Sequence, residues 1–185
     1  MAGDFSEKKL GSKVVYDGGL LEVREDQVLL PDGKHARREY VVHPGAALIL
    51  PIFEDGSILL EWQFRYPIGM HCYELPAGKF EPGEPPLETA KRELLEETGY
   101  LAQHWHALGP LYPNVGYSNE RIEFFLAREL SLTEASPDEG EFLETLRVPL
   151  AQALAWVRSG KIGDVKTMLG LLWAEKILSG EWEPA

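Results

Sequence analysis

Gly78–Tyr100 reads GKFEPGEPPLETAKRELLEETGY, and the rest of the 185-residue chain is best read outward from it. Pro85 and Pro86 suit a first helical turn, where a missing N–H costs nothing. Leu87, Ala90 and Leu94 then recur on one helical face before Gly99 stops the run, which predicts a helix over 86–98. Glu93, Glu96 and Glu97 stand at i, i+3 and i+4, so three carboxylates emerge on neighbouring parts of one surface. Like charges at that spacing each cost an isolated helix about 0.2–0.5 kcal/mol. A bound divalent cation would offset that cost, since Mg²⁺ takes hard oxygen ligands and shares one or two carboxylates with substrate phosphates. The alternative is a solvated face on which Glu88, Arg92 and Glu96 form i,i+4 ion pairs.

On the N-terminal side of this helix, short apolar runs alternate with turn signals. Residues 12–16, 20–24, 27–30 and 37–43 read as strands around Asp17-Gly18-Gly19 and Pro31-Asp32-Gly33, a small antiparallel unit. Ala46–Phe53 and Ser57–Phe64 flank Glu54-Asp55-Gly56, whose Asp-Gly pair signals a hairpin. On the C-terminal side, strands are expected at 102–111, 122–128 and 142–148, with the acidic loop Pro137-Asp138-Glu139-Gly140-Glu141 between the last two. Pro149 opens a helix to about Arg158. Asp164 caps a last helix carrying Val165, Met168, Leu169, Leu172 and Trp173. The whole is an α+β pattern, with helices packed around a central sheet.

Composition narrows the classes. Eighteen Lys and Arg against thirty Asp and Glu give a formal charge of −12, which argues against a nucleic-acid partner and suits a site that collects cations. Hydrophobic residues at 44% suffice for a packed core. Cys72 is the only cysteine, which excludes an intrachain disulfide and a Cys-based zinc cage. No run reaches membrane-span length and the first residues lack a secretory apolar stretch, so the expectation is a soluble, cytoplasmic protein with no membrane partner.

Gly78, Glu84, Arg92, Glu93, Leu94, Glu96, Glu97 and Gly99 occupy the places of the Nudix hydrolase signature, and the chain is identified as resembling that family. Seven fixed identities at about one in fifteen each arise by chance on the order of once in 10⁶ chains of this length. The one departure is Tyr100 in the closing aliphatic place, where it should alter only packing after the helix. The resemblance implies a Nudix fold, mixed β-sheets sandwiched between α-helices, with residues 1–43 as an N-terminal β unit and 44–185 as the hydrolase domain. It implies Mg²⁺, with Mn²⁺ as a substitute, held by Glu93, Glu97, the Ala77 carbonyl and Glu96. Arg92 would orient the glutamates, and Arg92 and Glu96 thereby join the catalytic set.

Outside the signature, the chain resembles the ADP-ribose pyrophosphatase branch. Arg38-Glu39, His43-Pro44-Gly45-Ala46, Gln63-Phe64-Arg65-Tyr66-Pro67, Glu74-Leu75-Pro76-Ala77-Gly78 and Gly163-Asp164-Val165-Lys166-Thr167 follow in that branch's order. The resemblance implies hydrolysis of ADP-ribose to AMP and ribose 5-phosphate. Arg65 is a candidate grip on a phosphate or the terminal ribose, because a guanidinium fork matches phosphate oxygens; its alternative is a strand-end surface arginine. Arg38 is a weaker candidate for the base or a phosphate, and Arg37 could serve instead. By the same resemblance Glu139 is a candidate general base and Glu141 an added metal ligand, though an acidic surface turn explains both as simply. Tyr16, Trp62, Phe64, Tyr112 and Tyr117 are open as base-stacking platforms or packed strand residues. Val115 stands where the branch carries a proline, with Pro113 two residues earlier, which leaves room for another nucleoside diphosphate sugar or a dinucleotide as substrate. A non-catalytic module that binds a nucleotide sugar is the rival of a different class. The resemblance also implies a homodimer formed by exchange of the N-terminal strands.

Overall fold

The computed structural model describes residues 3–133 and 142–184. It divides into two compact units, Met1–Pro44 with Tyr112–Arg121, and Gly45–Leu111 with Ile122–Ala185. No helix among the described residues is long and apolar enough to cross a membrane.

The first unit is an antiparallel sheet of β1 (Lys8–Asp17), β2 (Glu22–Leu29) and β3 (His35–Val42) in sequence order. Two of the expected short strands, 20–24 and 27–30, are one continuous β2. Glu25-Asp26 looks like a polar break in the sequence, but its charges are matched across the ladder. Asp26 is buried and accepts from Ser12 Oγ at 2.5 Å with Lys9 Nζ at 3.0 Å. Glu25 faces Lys13 at 2.9 Å and Arg37 at 3.4 Å. Segment 112–121 joins this unit by hydrogen bonds: Val41 N–H donates to Tyr117 O at 2.9 Å, and His43 N–H to the side-chain Oδ1 of Asn119 at 2.7 Å.

The second unit holds two sheets. β4 (Ala46–Pro51), β7 (Ala77–Lys79), β8 (Tyr100–Leu111) and β9 (Ile122–Leu132) run in the order β7-β4-β9-β8, with β4 and β9 parallel. β5 (Ser57–Arg65), β6 (Met70–Glu74) and β10 (Leu143–Pro149) form an antiparallel sheet in the order β10-β5-β6. The expected hairpin between 46–53 and 57–64 is therefore only a turn. Phe53 N–H bonds Ser57 O at 2.9 Å and one bridge joins Ile52 to Ile58, after which β4 and β5 enter different sheets. Both edges of β4 are taken by β7 and β9, and all six of its residues are buried.

Alternation along β4 sorts the core into two layers. Leu48 and Leu50 pack with Leu60, Leu75, Phe124, Ala153 and Leu171. Ala47 and Ile49 pack with Leu59, Ala90, Leu94 and Phe125. The helices α1 (Pro86–Thr98), α2 (Leu150–Arg158) and α3 (Val165–Leu178) supply Ala90 and Leu94 to one layer and Ala153 and Leu171 to the other, so the sheets lie between helices. β6 and β7 carry no legible strand pattern, being five and three residues of mixed polarity.

Candidate active site

α1 occupies 86–98 as its spacing predicts. Pro85 takes the N-cap position, and Gly99 ends the helix at φ 72°, where glycine meets no Cβ penalty, its N–H donating to Leu95 O. Arg92 is the organiser of the exposed side of this helix. Its Nε and Nη2 donate to the two carboxylate oxygens of Glu84 at 3.0 and 3.1 Å. Nη1 meets Glu96 Oε2 and Glu93 Oε1, both at 2.9 Å, and Nη2 also donates to Lys79 O at 3.3 Å. All five guanidinium hydrogens thus have acceptors. The expected Glu88 partner is not among them: Glu88 pairs with Lys91 at 2.9 Å. Glu84, eight residues before Arg92 and outside the helix, takes that place because a bidentate carboxylate matches the fork better than a monodentate surface pair. Arg92 and Thr89, which donates to Glu84 Oε2 at 2.7 Å, pull the Glu84 carboxyl down to about 2.

Across from α1, β7 brings its backbone against the glutamates. A Cβ on Gly78 would lie 1.8 Å from the carboxyl carbon of Glu93, so only glycine lets that carboxylate rest on the strand. Glu97 is buried at 6% exposure and accepts from Ala77 N–H at 3.2 Å. Ala77, Glu93, Glu96, Glu97 and Arg92, five residues expected to act together, are therefore brought together.

A second group of charges lies behind Glu97. Glu61 on β5 is fully buried, and burial, moderated by its hydrogen bond to Glu97 and reinforced by the charge of Glu74, pushes its carboxyl well above the usual range. Its Oε1 has no hydrogen-bond partner among the described residues. Glu74, opposite Glu61 on β6, receives Arg65 Nε at 2.6 Å and Nη2 at 2.9 Å, together with Lys166 Nζ. Burial raises the Glu74 carboxyl, but Arg65 and Lys166 outweigh it and hold the group below its ordinary value. The sequence reading assigned no role to Glu61, Glu74 or Lys166. A glutamate inside the apolar run Ile58-Leu59-Leu60-Glu61-Trp62 was the available signal for the first.

The remaining candidates are dispersed. Arg38 lies on β3 of the first unit, where Glu7 takes its Nε at 2.9 Å, and Arg37 beside it faces Glu25. Glu139 and Glu141 lie outside the described residues. Tyr16, Phe64, Tyr112 and Tyr117 are exposed, whereas Trp62 stacks on His71 and packs against Tyr73. Tyr100 meets Phe53 edge to face at 5.4 Å, the packing role expected of it. A shallow cavity of about 440 Å³, lined by residues including Asp55, Ser57, Pro149 and Leu178, contains none of the signature residues.

Among the described residues, no three Asp, Glu, His or Cys side chains form a ready metal cage. The donor set nevertheless suits a hard divalent cation. It offers carboxylates on successive turns of α1, the backbone of β7 beside them and an unpartnered buried oxygen on Glu61, while soft or imidazole ligands take no part. Such an ion completes its shell with water and phosphate oxygens rather than a closed protein cage.

Comparison with known proteins adds three findings. The NUDIX domain matches residues 42–167, and the nucleoside diphosphate sugar hydrolase N-terminal domain matches residues 7–41. The chain is 39% identical to an ADP-ribose pyrophosphatase of Bacillus subtilis over 91% of its own length and 92% of that protein's. It is 35% identical to a methanol dehydrogenase activator of Bacillus methanolicus over 92% and 94%. Among solved structures, an ADP compounds hydrolase has the same fold, with a TM-score of 0.85 at 23% identity over 97% of this chain and 98% of that one.

Proposed function

Because the chain belongs to the Nudix hydrolase family, we propose that it cleaves the diphosphate of ADP-ribose to AMP and ribose 5-phosphate in the presence of Mg²⁺. The observation that carries this reading is the seating of Glu93 on Gly78 with Glu97 anchored at Ala77, a pair of oriented carboxylates beside an open strand. The likeness to the Bacillus subtilis enzyme, which runs through both units, supports ADP-ribose as the substrate.

Glu93 and Glu97 would hold the cation, with the Ala77 carbonyl, Glu96 and Glu141 as further ligands. When bound, the ion polarises the phosphoryl oxygens and eases deprotonation of water. Arg92 keeps Glu93 and Glu96 in register with the strand, since each of its hydrogens is already committed. Arg65 has committed Nε and one Nη2 hydrogen to Glu74, leaving three donors, which meet no acceptor among the described residues, for a phosphate or the terminal ribose. Glu139 takes the proton of the attacking water, whose oxygen bonds phosphorus as the bridging P–O bond breaks. Arg38 contacts the base or a phosphate in this reading, on resemblance alone.

Val115 supports a second reading, another nucleoside diphosphate sugar or a dinucleotide. It stands in the place of the branch's proline and is exposed at 83%. Residues 1–43 would form the dimerising unit and 44–185 the hydrolase domain of a cytoplasmic homodimer with exchanged N-terminal strands. Sedimentation as a monomer at micromolar concentration would count against the exchange. AMP release from ADP-ribose that stops on chelation is the expected result for the main reading. Release from other nucleoside diphosphate sugars alone would transfer the proposal to them, and silence across the panel would revive the binding module.

A further inference from the structure

We infer that Glu74 and Lys166 are positioning residues for Arg65, a frame built from the start of α3 and the end of β6 that aims a substrate-binding guanidinium. The inference rests on the reading of Arg65 as a substrate contact.

Arg65 ends β5 with its side chain 43% exposed, a position where an unrestrained arginine samples many rotamers. Here Glu74 grips it through two parallel hydrogen bonds, and the Glu74 side chain is only 3% exposed. A buried carboxylate cannot hold a surface cation firmly unless it is itself held. Lys166, 17% exposed, supplies that restraint by donating to Glu74 Oε2 and, at 2.9 Å, to Asp164 Oδ2. Asp164 is fixed in turn as the N-cap of α3, accepting Thr167 N–H at 3.0 Å and Thr167 Oγ–H at 2.6 Å. Thr167 Oγ1 then accepts from Leu75 N–H at 2.8 Å, so the residue after Glu74 is pinned to the same helix start. The loop closes on itself: the end of β6 and the residue after it are tied to α3 once by Lys166 to Glu74 and once by Leu75 to Thr167.

Charge explains why both groups are needed. Glu74 is itself buried, and burial opposes its charged form unless a second cation beside Arg65 compensates. Lys166 provides it. With Nε and one Nη2 hydrogen committed, the other three hydrogens of Arg65 have no acceptor among the described residues and keep a fixed orientation. Preorganised donors lose less entropy on binding an anion than donors on a free side chain.

The test is a double-mutant cycle on KM and kcat for AMP release from ADP-ribose at saturating Mg²⁺. Arg65→Ala should raise KM about tenfold or more. Glu74→Gln and Lys166→Met should each raise KM at least about threefold with kcat changed less, and neither should raise it further when Arg65 is already alanine. Lys166→Arg should restore most of the loss. If Glu74→Gln does not fold, Lys166→Met with its arginine rescue carries the same cycle. Equal effects of Lys166→Met with and without Arg65 would overturn the inference while leaving Arg65 as a contact. An unchanged KM in Arg65→Ala would overturn the reading of Arg65 and the inference with it, and absence of AMP release from the unaltered chain would overturn the substrate reading as well.

Discussion

Arg92 and Arg65 are both gripped by glutamates, yet the two grips are built differently. Glu84, Glu93 and Glu96 all lie within eight residues of Arg92, and the bond to Glu96 follows from the pitch of α1. Arg65 depends on Glu74 in the next strand, and Glu74 depends on Lys166, ninety-two residues further along. Arg92 has no donor left and can only organise its neighbours. Among the described residues, Arg65 retains three without an acceptor. A charged side chain thus becomes structural or functional according to how many of its hydrogen bonds the fold has already used.

Four changes probe that contrast. The largest effect is expected from Gly78→Ala. The added methyl meets only the flexible end of Glu93, so the melting temperature should stay within a few degrees while turnover falls about a hundredfold or more. A matching loss of both would show that Gly78 serves folding rather than the site. Arg92→Lys comes next. A point charge cannot reproduce five directed bonds, and activity should drop about 10- to 100-fold. Retained activity would mean that the glutamates orient themselves.

Glu84→Gln separates the stabilising part of the Arg92 grip from the catalytic part. The folded Glu84 carboxyl titrates at about 2 against an ordinary 4.5, so its contribution is complete above about 4.5 and is lost as pH falls towards 2. Thermal unfolding across that window should show the variant less stable than the parent at pH 7 and converging with it near pH 2. Parallel curves would remove Glu84 from the stabilising network. The smallest effect is expected from Tyr100→Val, which loses the edge-to-face contact with Phe53 and should cost about 1 kcal/mol in urea unfolding with turnover unchanged. A change in turnover would tie the end of α1 to the site.

Much of the site was legible. The helix over 86–98, its glycine stop, the Asp164 cap and the clustering of Glu93, Glu96 and Glu97 follow from helical period and capping chemistry, which act over a few residues. The Glu84–Arg92 bond was not, because Glu84 precedes the helix and its approach depends on the turn at Glu81–Glu84. The hairpin at Asp55-Gly56 misled for a related reason. A turn signal reports where the chain reverses, while the ladder partner is decided by which strand edges remain free.

The amino-acid sequence by itself determined the acidic helix, the family and carboxylates suited to a divalent cation, because seven residues at set spacings on one helix and its approach leave little freedom. Only the tertiary structure decided that Glu61 is buried beside Glu97, that Glu74 and Lys166 meet, and that β4 and β5 part into separate sheets. Those pairings join residues far apart in the chain or on different sheets. Their energy comes from burial and charge compensation, which exist only once the core has closed.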